Sequence, residues 1–312
     1  MKSAVLVHLL EWGYQSPKFE LGDGIELCCL KGSKVENLYN KLCEIDKVDE
    51  GEPFHYPSYI LIPDSAHDDL FSYWGGPFSI ISQCCNMISL CTSYPIGMCR
   101  LITSRDDFNT SWATSIIYEP NDDLSILTAY PDYLTISTNG TVTCTGDHFQ
   151  TLDEPLLRNI ATCWNNYLKL SKSSNIDNHR VKNALSYFFY SWRSYYLEHV
   201  CLNLSIVIET LFSPSSSQEL SHQIAFNASH YFGKDANERE VIYSSIKRFY
   251  NIRSQIVHGG KAKFHELAAF TPEVFHICAK ILKSILIDYT MAQCFCNETD
   301  RNNLFKKWLF GV

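Results

Sequence analysis

Asp235, followed three residues later by Glu238, and the pair Gly259-Gly260 bracket one long helix and fix both of its ends. The acidic pair reads as a capping-box start and the glycines as a stop, so the helix spans roughly 236 to 258. At 100° per residue, Ile242, Ile246, Phe249, Ile256 and Val257 fall within about 100° of one another and form one apolar stripe. Arg253 projects into the middle of that stripe. A guanidinium there must be paired, hydrogen-bonded or used, because an isolated buried charge costs far more than the stripe could offset. His258 stands at the carbonyl end, where the helix dipole favours the imidazolium.

The charge distribution is uneven along the 312 residues. Residues 1 to 150 hold 8 Lys+Arg against 20 Asp+Glu, whereas 151 to 312 hold 18 against 14. Between Glu240 and Glu266 there is no carboxylate, yet Lys247, Arg248, Arg253, Lys261 and Lys263 all lie there. A basic island on an acidic protein is compatible with a phosphate-binding surface; a solvated helix face explains the same charges.

The 13 cysteines are odd in number and include adjacent pairs at Cys28-Cys29 and Cys84-Cys85, with no CxxC. They are expected to be buried free thiols in a reducing cytoplasm. The apolar run Ala4 to Leu10 lacks a small-residue cleavage site, so no signal peptide is expected. The uncharged stretch from Gly75 to Cys99 carries Phe78, Ile81, Cys85, Ile88 and Cys91 at helical spacing. It reads as a buried amphipathic helix ending before Pro95 rather than a membrane span.

Length and composition favour two domains. Residues 1 to 150 read as α+β, with strands expected at 25 to 30, 58 to 62, 98 to 103 and 111 to 118, and a hairpin over 133 to 145 whose Asn139-Gly140 is a type I′ turn signal. His55, His67 and His148, and the pairs Asp68-Asp69, Asp106-Asp107 and Asp122-Asp123, read as surface and loop residues rather than metal ligands. Residues 151 to 312 read as an all-helical bundle, with helices expected at 154 to 171, 178 to 192, 195 to 212, 217 to 232, 236 to 258, 271 to 296 and 300 to 309. Ser216 with Glu219 is taken to open the fourth, Gly233 to close it, and Pro272 to sit near the start of the sixth. The 195 to 212 helix is apolar nearly all round and is expected at the bundle's centre. Glu209 is its lone late charge and a candidate partner for Arg253. The aromatic run Tyr187 to Trp192 could stack bases, but helical aromatics ordinarily pack in cores. No phosphate-cradling glycine loop, HExxH or GxSxG is present.

Three ordered blocks carry a family resemblance: Ile208 to Pro214 (IETLFSP), Glu219 to Phe226 (ELSHQIAF), and Tyr250 to Gly260 (YNIRSQIVHGG). Together with an arginine and a histidine on a late helix of a helical bundle, they resemble the ApeA-like HEPN domain of the HEPN ribonuclease superfamily, a group associated with bacterial anti-phage defence. The likeness covers roughly residues 150 to 312. It implies a metal-independent RNA endonuclease without cofactors, acting in abortive infection. Its HEPN helical domain occupies 151 to 312, and an accessory or sensor domain occupies 1 to 150. Arg253 and His258 are the implied catalytic residues, supported by Ser254, Asn251 and Glu209, with Lys247, Arg248, Lys261 and Lys263 binding RNA. The implied partners are an RNA substrate, tRNA among the candidates, a second copy of the chain in a homodimer or higher homo-oligomer, and a phage-derived trigger, with no membrane. Ser254 stands where the superfamily often has Asn, Asp or His, and Gly260 where some HEPN toxins carry a modifiable tyrosine.

Cleaving RNA without a metal requires a base for the 2′-OH proton, a cation for the phosphorane and an acid for the 5′-oxygen. One chain offers one histidine and one arginine, whereas a two-fold dimer offers two of each. The competing expectation is a non-catalytic HEPN scaffold, for RNA binding or dimerisation, in which Arg253 pairs with Glu209 and His258 caps the helix.

Overall fold

A computed structural model describes residues 2–7, 10–12, 14–16, 18–29, 58–62, 84, 86–88, 90–91, 99–104, 114–118, 134–136, 142–144, 150–173, 179–192, 194, 196–214, 219–260 and 263–311. Among the described residues of the first half the strands are β1 (Lys2–Val7), β2 (Leu10–Trp12), β3 (Lys18–Gly22), β4 (Ile25–Cys29), β5 (Ser58–Ile62), β6 (Cys99–Ser104), β7 (Thr114–Tyr118), β8 (Leu134–Ile136), β9 (Val142–Cys144) and β10 (Gln150–Leu152). After β10 the described helices are α1 (Glu154–Lys172), α2 (His179–Trp192), α3 (Leu197–Phe212), α4 (Leu220–Phe232), α5 (Ala236–Val257), α6 (Phe264–Ile287), α7 (Tyr289–Cys296) and α8 (Glu298–Phe310). The order along the chain is α+β and then all-α. Among the described residues no helix is long and apolar enough to cross a membrane.

The chain divides into two compact units, residues 1–125 with 147–165, and residues 126–146 with 166–312. In the first, six strands form an antiparallel sheet in the order β3-β4-β5-β1-β6-β7, and β10 pairs in parallel with β2. The expected strands at 25 to 30, 58 to 62, 98 to 103 and 111 to 118 correspond to β4, β5, β6 and β7. Gly22 takes φ +114°, and Asn165 Nδ2 donates to the Leu21 carbonyl beside it (3.0 Å). A Cβ on Gly22 would lie 2.3 Å from Asn165 Oδ1, so only glycine admits this contact. Within the 75 to 99 stretch, Cys84, Asn86–Ile88, Leu90 and Cys91 are helical, and Ile88 and Cys91 are buried. His55, His67, His148, the three Asp pairs and Asn139-Gly140 lie outside the described residues, although β8 and β9 on either side of that turn signal pair antiparallel.

The second unit is the helical bundle with the β8-β9 hairpin. Its centre is α3, which buries Leu197, Val200, Cys201, Leu204, Val207, Ile208, Leu211 and Phe212 and packs against α2, α4, α5 and α6. Apolarity on every side of a helix can be satisfied only by surrounding it. Phe212 also anchors an aromatic cluster with Tyr231, Phe295 and Phe305 at centroid distances of 5.6 to 6.5 Å. In the run 187 to 192, Phe188 and Phe189 are buried, and Phe188 packs on Phe275 at 4.8 Å, as a core reading requires. Cys84, Cys91, Cys163, Cys201, Cys278 and Cys296 are buried and Cys294 is half-buried, and none of these seven is in a disulfide.

Three helix boundaries differ from expectation. Pro272 lies inside α6, which begins eight residues earlier at Phe264. Leu267 is buried and Phe270 carries the Arg248 guanidinium 4.2 Å from its ring centroid, so packing holds the turns that precede the proline. The 271 to 296 segment is two helices, because Asp288 Oδ1 accepts from the backbone N–H groups of Thr290 (3.0 Å) and Met291 (3.2 Å) and starts a new one. The Thr290 hydroxyl, which also donates to Asp288 Oδ1, and after it the backbone bonds hold the carboxyl below the usual value. Asp288→Ala is expected to cost about 1 kcal/mol, read as a lowered thermal midpoint. Finally, α4 starts at Leu220 with Glu219 itself at the N-cap in a left-handed conformation (φ 50°), and Ser216 lies outside the described residues. Gly233 closes that helix, its N–H bonded to the Ser229 carbonyl at 2.8 Å.

Candidate functional site

The helix carrying Arg253 and His258 is built by its caps. At the N-terminus, Asp235 Oδ1 accepts from the Glu238 N–H (2.9 Å), while Glu238 Oε2 accepts from the Lys234 N–H (2.9 Å), one residue earlier than in the usual capping box. At the C-terminus, the Gly260 N–H bonds to the Gln255 carbonyl (2.7 Å) and the Gly259 N–H to the Ile256 carbonyl (3.3 Å). This is a Schellman motif with Gly259 at φ +73°, the left-handed position that glycine fills without strain. His258 is the C-cap residue itself, at φ −90° and ψ 15°. Backbone groups therefore satisfy the last carbonyls, and the imidazole has no capping duty. His258 is exposed, and no described residue hydrogen-bonds its ring.

The buried side of α5 differs in part from the expected stripe. Ile242, Ile246 and Phe249 are buried, joined by Ser245, Tyr250 and Ile252. Ile256 is only half-buried, and Val257 is 48% exposed, because the last turn extends past its packing partners. Arg253 thus sits at the edge of the core rather than in its middle. Its Nη2 lies 3.4 Å from Glu209 Oε1 on α3, with 30% of the arginine side chain and 26% of the glutamate side chain accessible. Its Nε is buried with no hydrogen-bond partner among the described residues. At this distance the contact is an ion pair without a good hydrogen bond.

Two neighbours define what chemistry surrounds the guanidinium. Burial pushes the Cys201 thiol up to about 12, despite the opposing influence of Arg253, so it is not a thiolate nucleophile near neutrality. Burial, and after it the Glu209 carboxylate, hold the Tyr250 hydroxyl far above the ordinary phenol value. That hydroxyl stays protonated and faces the Ser205 carbonyl at 3.4 Å. Neither group can serve as a base near neutrality. Tyr250 was not singled out from sequence, although it stands one helical turn before Arg253.

Arg253, Glu209 and Tyr250 therefore come together at the α3-α5 contact, whereas Asn251, Ser254 and His258 are exposed. The five-residue offset from Arg253 to His258 turns the helix by roughly 140°, so the two side chains leave α5 on different sides. The basic residues also diverge. Lys247 Nζ stands 5.9 Å from the Tyr243 ring centroid, Arg248 stacks on Phe270 of α6, and Lys263 is exposed at the N-cap of α6. Lys261 lies outside the described residues. Among the described residues no three His, Cys, Asp or Glu side chains group so as to hold a metal ion. In comparisons with known proteins, the chain matches no family model, no curated protein and no solved structure.

Proposed function

We propose that the chain is a metal-independent RNA endonuclease of the HEPN type, acting in the cytoplasm as an anti-phage, abortive-infection effector. In this reading His258 is general base in one protomer and general acid in the other, and Arg253 stabilises the phosphorane at a two-fold interface. The observation that carries it is an exposed imidazole relieved of capping by the Gly259-Gly260 motif, five positions from a guanidinium that keeps 30% of its side chain open to solvent. The Nε itself is closed to solvent, but 30% of the arginine side chain is open, and a guanidinium reachable from solvent is a strong donor to a phosphate oxygen. The roughly 140° between the two side chains supports a second copy of the chain, since two helix ends facing each other place the arginine of one beside the histidine of the other. Val257, apolar and exposed beside His258, suits such an interface.

Wild-type protein incubated with total cellular RNA and EDTA is expected to cut it and leave 2′,3′-cyclic phosphate ends. Loss of cutting on adding EDTA, or other end groups, would sink the mechanism.

A non-catalytic scaffold for RNA binding or dimerisation, coupled to an N-terminal sensor domain, is the second reading. The Arg253–Glu209 ion pair favours it.

A further inference from the structure

The exposed face of α5 continues away from His258 as a polar track. On an ideal helix Tyr243, Lys247, Asn251, Ser254 and His258 fall within about 80° of one another. Asn251, Ser254 and His258 are exposed, and Tyr243 and Lys247 are half-buried. From Tyr243 to His258 the track rises 15 positions along the helix, or about 22 Å. It is free of carboxylates up to Glu240, the exposed residue one turn beyond Tyr243.

A pair of rings from two helices marks the far end of this track. His222 of α4 has its Nδ1 2.7 Å from the Tyr243 hydroxyl, and the two rings meet edge to face at 5.6 Å. Phe226, one turn further along α4, lies 6.5 Å from the imidazole and supports it from behind. The hydrogen bond fixes both rings, so the platform is ordered before any ligand arrives, and His222 is exposed. Lys247 stands between these rings and His258 on the helix face, its ammonium over the Tyr243 ring at 5.9 Å. A solvated helix face accounts for the lysine, the Asn251 amide and the Ser254 hydroxyl; it gives no reason for two hydrogen-bonded aromatic rings fixed at the end of the row.

We infer that the Tyr243–His222 pair is a base-stacking subsite for single-stranded RNA, holding a nucleotide about 22 Å along the helix face from His258, several nucleotides from the scissile bond, while Lys247 meets one of the intervening phosphates. This inference rests on the endonuclease reading for its direction along the strand. The chemistry on the track is that of single-strand recognition: a flat ring for a base, a cation for a phosphate, and neutral donors between them. Glu240 ends it by repelling the next phosphate. A duplex would present its bases stacked inward and gain nothing from the rings.

The test uses the full chain and a single-stranded oligoribonucleotide blocked against cleavage by 2′-O-methyl groups and carrying 2-aminopurine, whose fluorescence falls on stacking. Wild type is expected to bind it with quenching. Tyr243→Ala should bind about tenfold more weakly and without quenching, and Tyr243→Phe, which keeps the ring, should stay near wild type. Lys247→Ala should lower the salt dependence of binding by about one phosphate contact. Wild-type binding without quenching, or unchanged affinity in Tyr243→Ala, overturns the subsite. Cleavage of the unblocked oligonucleotide is measured alongside. Cleavage that is indifferent to Tyr243→Ala removes the subsite and leaves the endonuclease reading standing. Tyr243-dependent binding with no cleavage does the reverse, and no binding by wild type overturns both.

Discussion

The His258→Ala protein is expected to lose RNA cleavage by about a thousandfold while keeping its thermal midpoint. The two halves of this result have separate causes. In the proposed site one histidine takes the proton of the 2′-OH and its two-fold mate returns one to the 5′-oxygen, so a single substitution removes base and acid together. The fold is spared because the carbonyls at the end of α5 are satisfied by the N–H groups of Gly259 and Gly260, not by the imidazole. An exposed side chain without partners among the described residues changes stability by no more than about 0.5 kcal/mol. Cleavage by His258→Ala at the wild-type rate would remove His258 from the chemistry, and a large fall in midpoint would assign it to structure instead. Both are read from one preparation by gel-based cleavage and thermal unfolding.

What could be read from sequence follows how local each signal is. The ends of α5 were legible because Asp235, Glu238, Gly259 and Gly260 act through backbone groups within a few residues of themselves. The central place of α3 was legible because a helix apolar on all sides has no solvent face to offer. The interior strand β1 was not, since the continuous run of Ala4 to Leu6 lacks the alternation that betrays a half-exposed strand. Pro272 misled for a related reason: its preference for the first helical turn is local, whereas the packing of Leu267 and Phe270 that extends α6 before it is tertiary. In the candidate site, Arg253 and Glu209 could be matched because each is a charge on an otherwise apolar face. The Tyr243–His222 pair could not, because residues 21 positions apart on different helices meet only through the α4-α5 packing.

Separate substitutions of Arg253 and Glu209 divide the endonuclease from the scaffold. If Arg253 stabilises the phosphorane, Arg253→Ala should lower cleavage by about a hundredfold to a thousandfold, the usual effect of deleting one donor to developing charge. Glu209→Gln removes the same ion pair from the other side and should leave cleavage within a few-fold of wild type, because the guanidinium stays in place. Both should lose similar and small amounts of stability. The contact is 3.4 Å long, and each side chain keeps more than a quarter of its surface accessible. Solvent screening therefore limits the pair to about 1 kcal/mol. In a scaffold the pair's only work is structural, so the two variants would track each other in every assay, including RNA binding. A difference of two orders of magnitude in cleavage between proteins of equal stability has no structural origin, and equal cleavage by the two would rule out a direct role for Arg253.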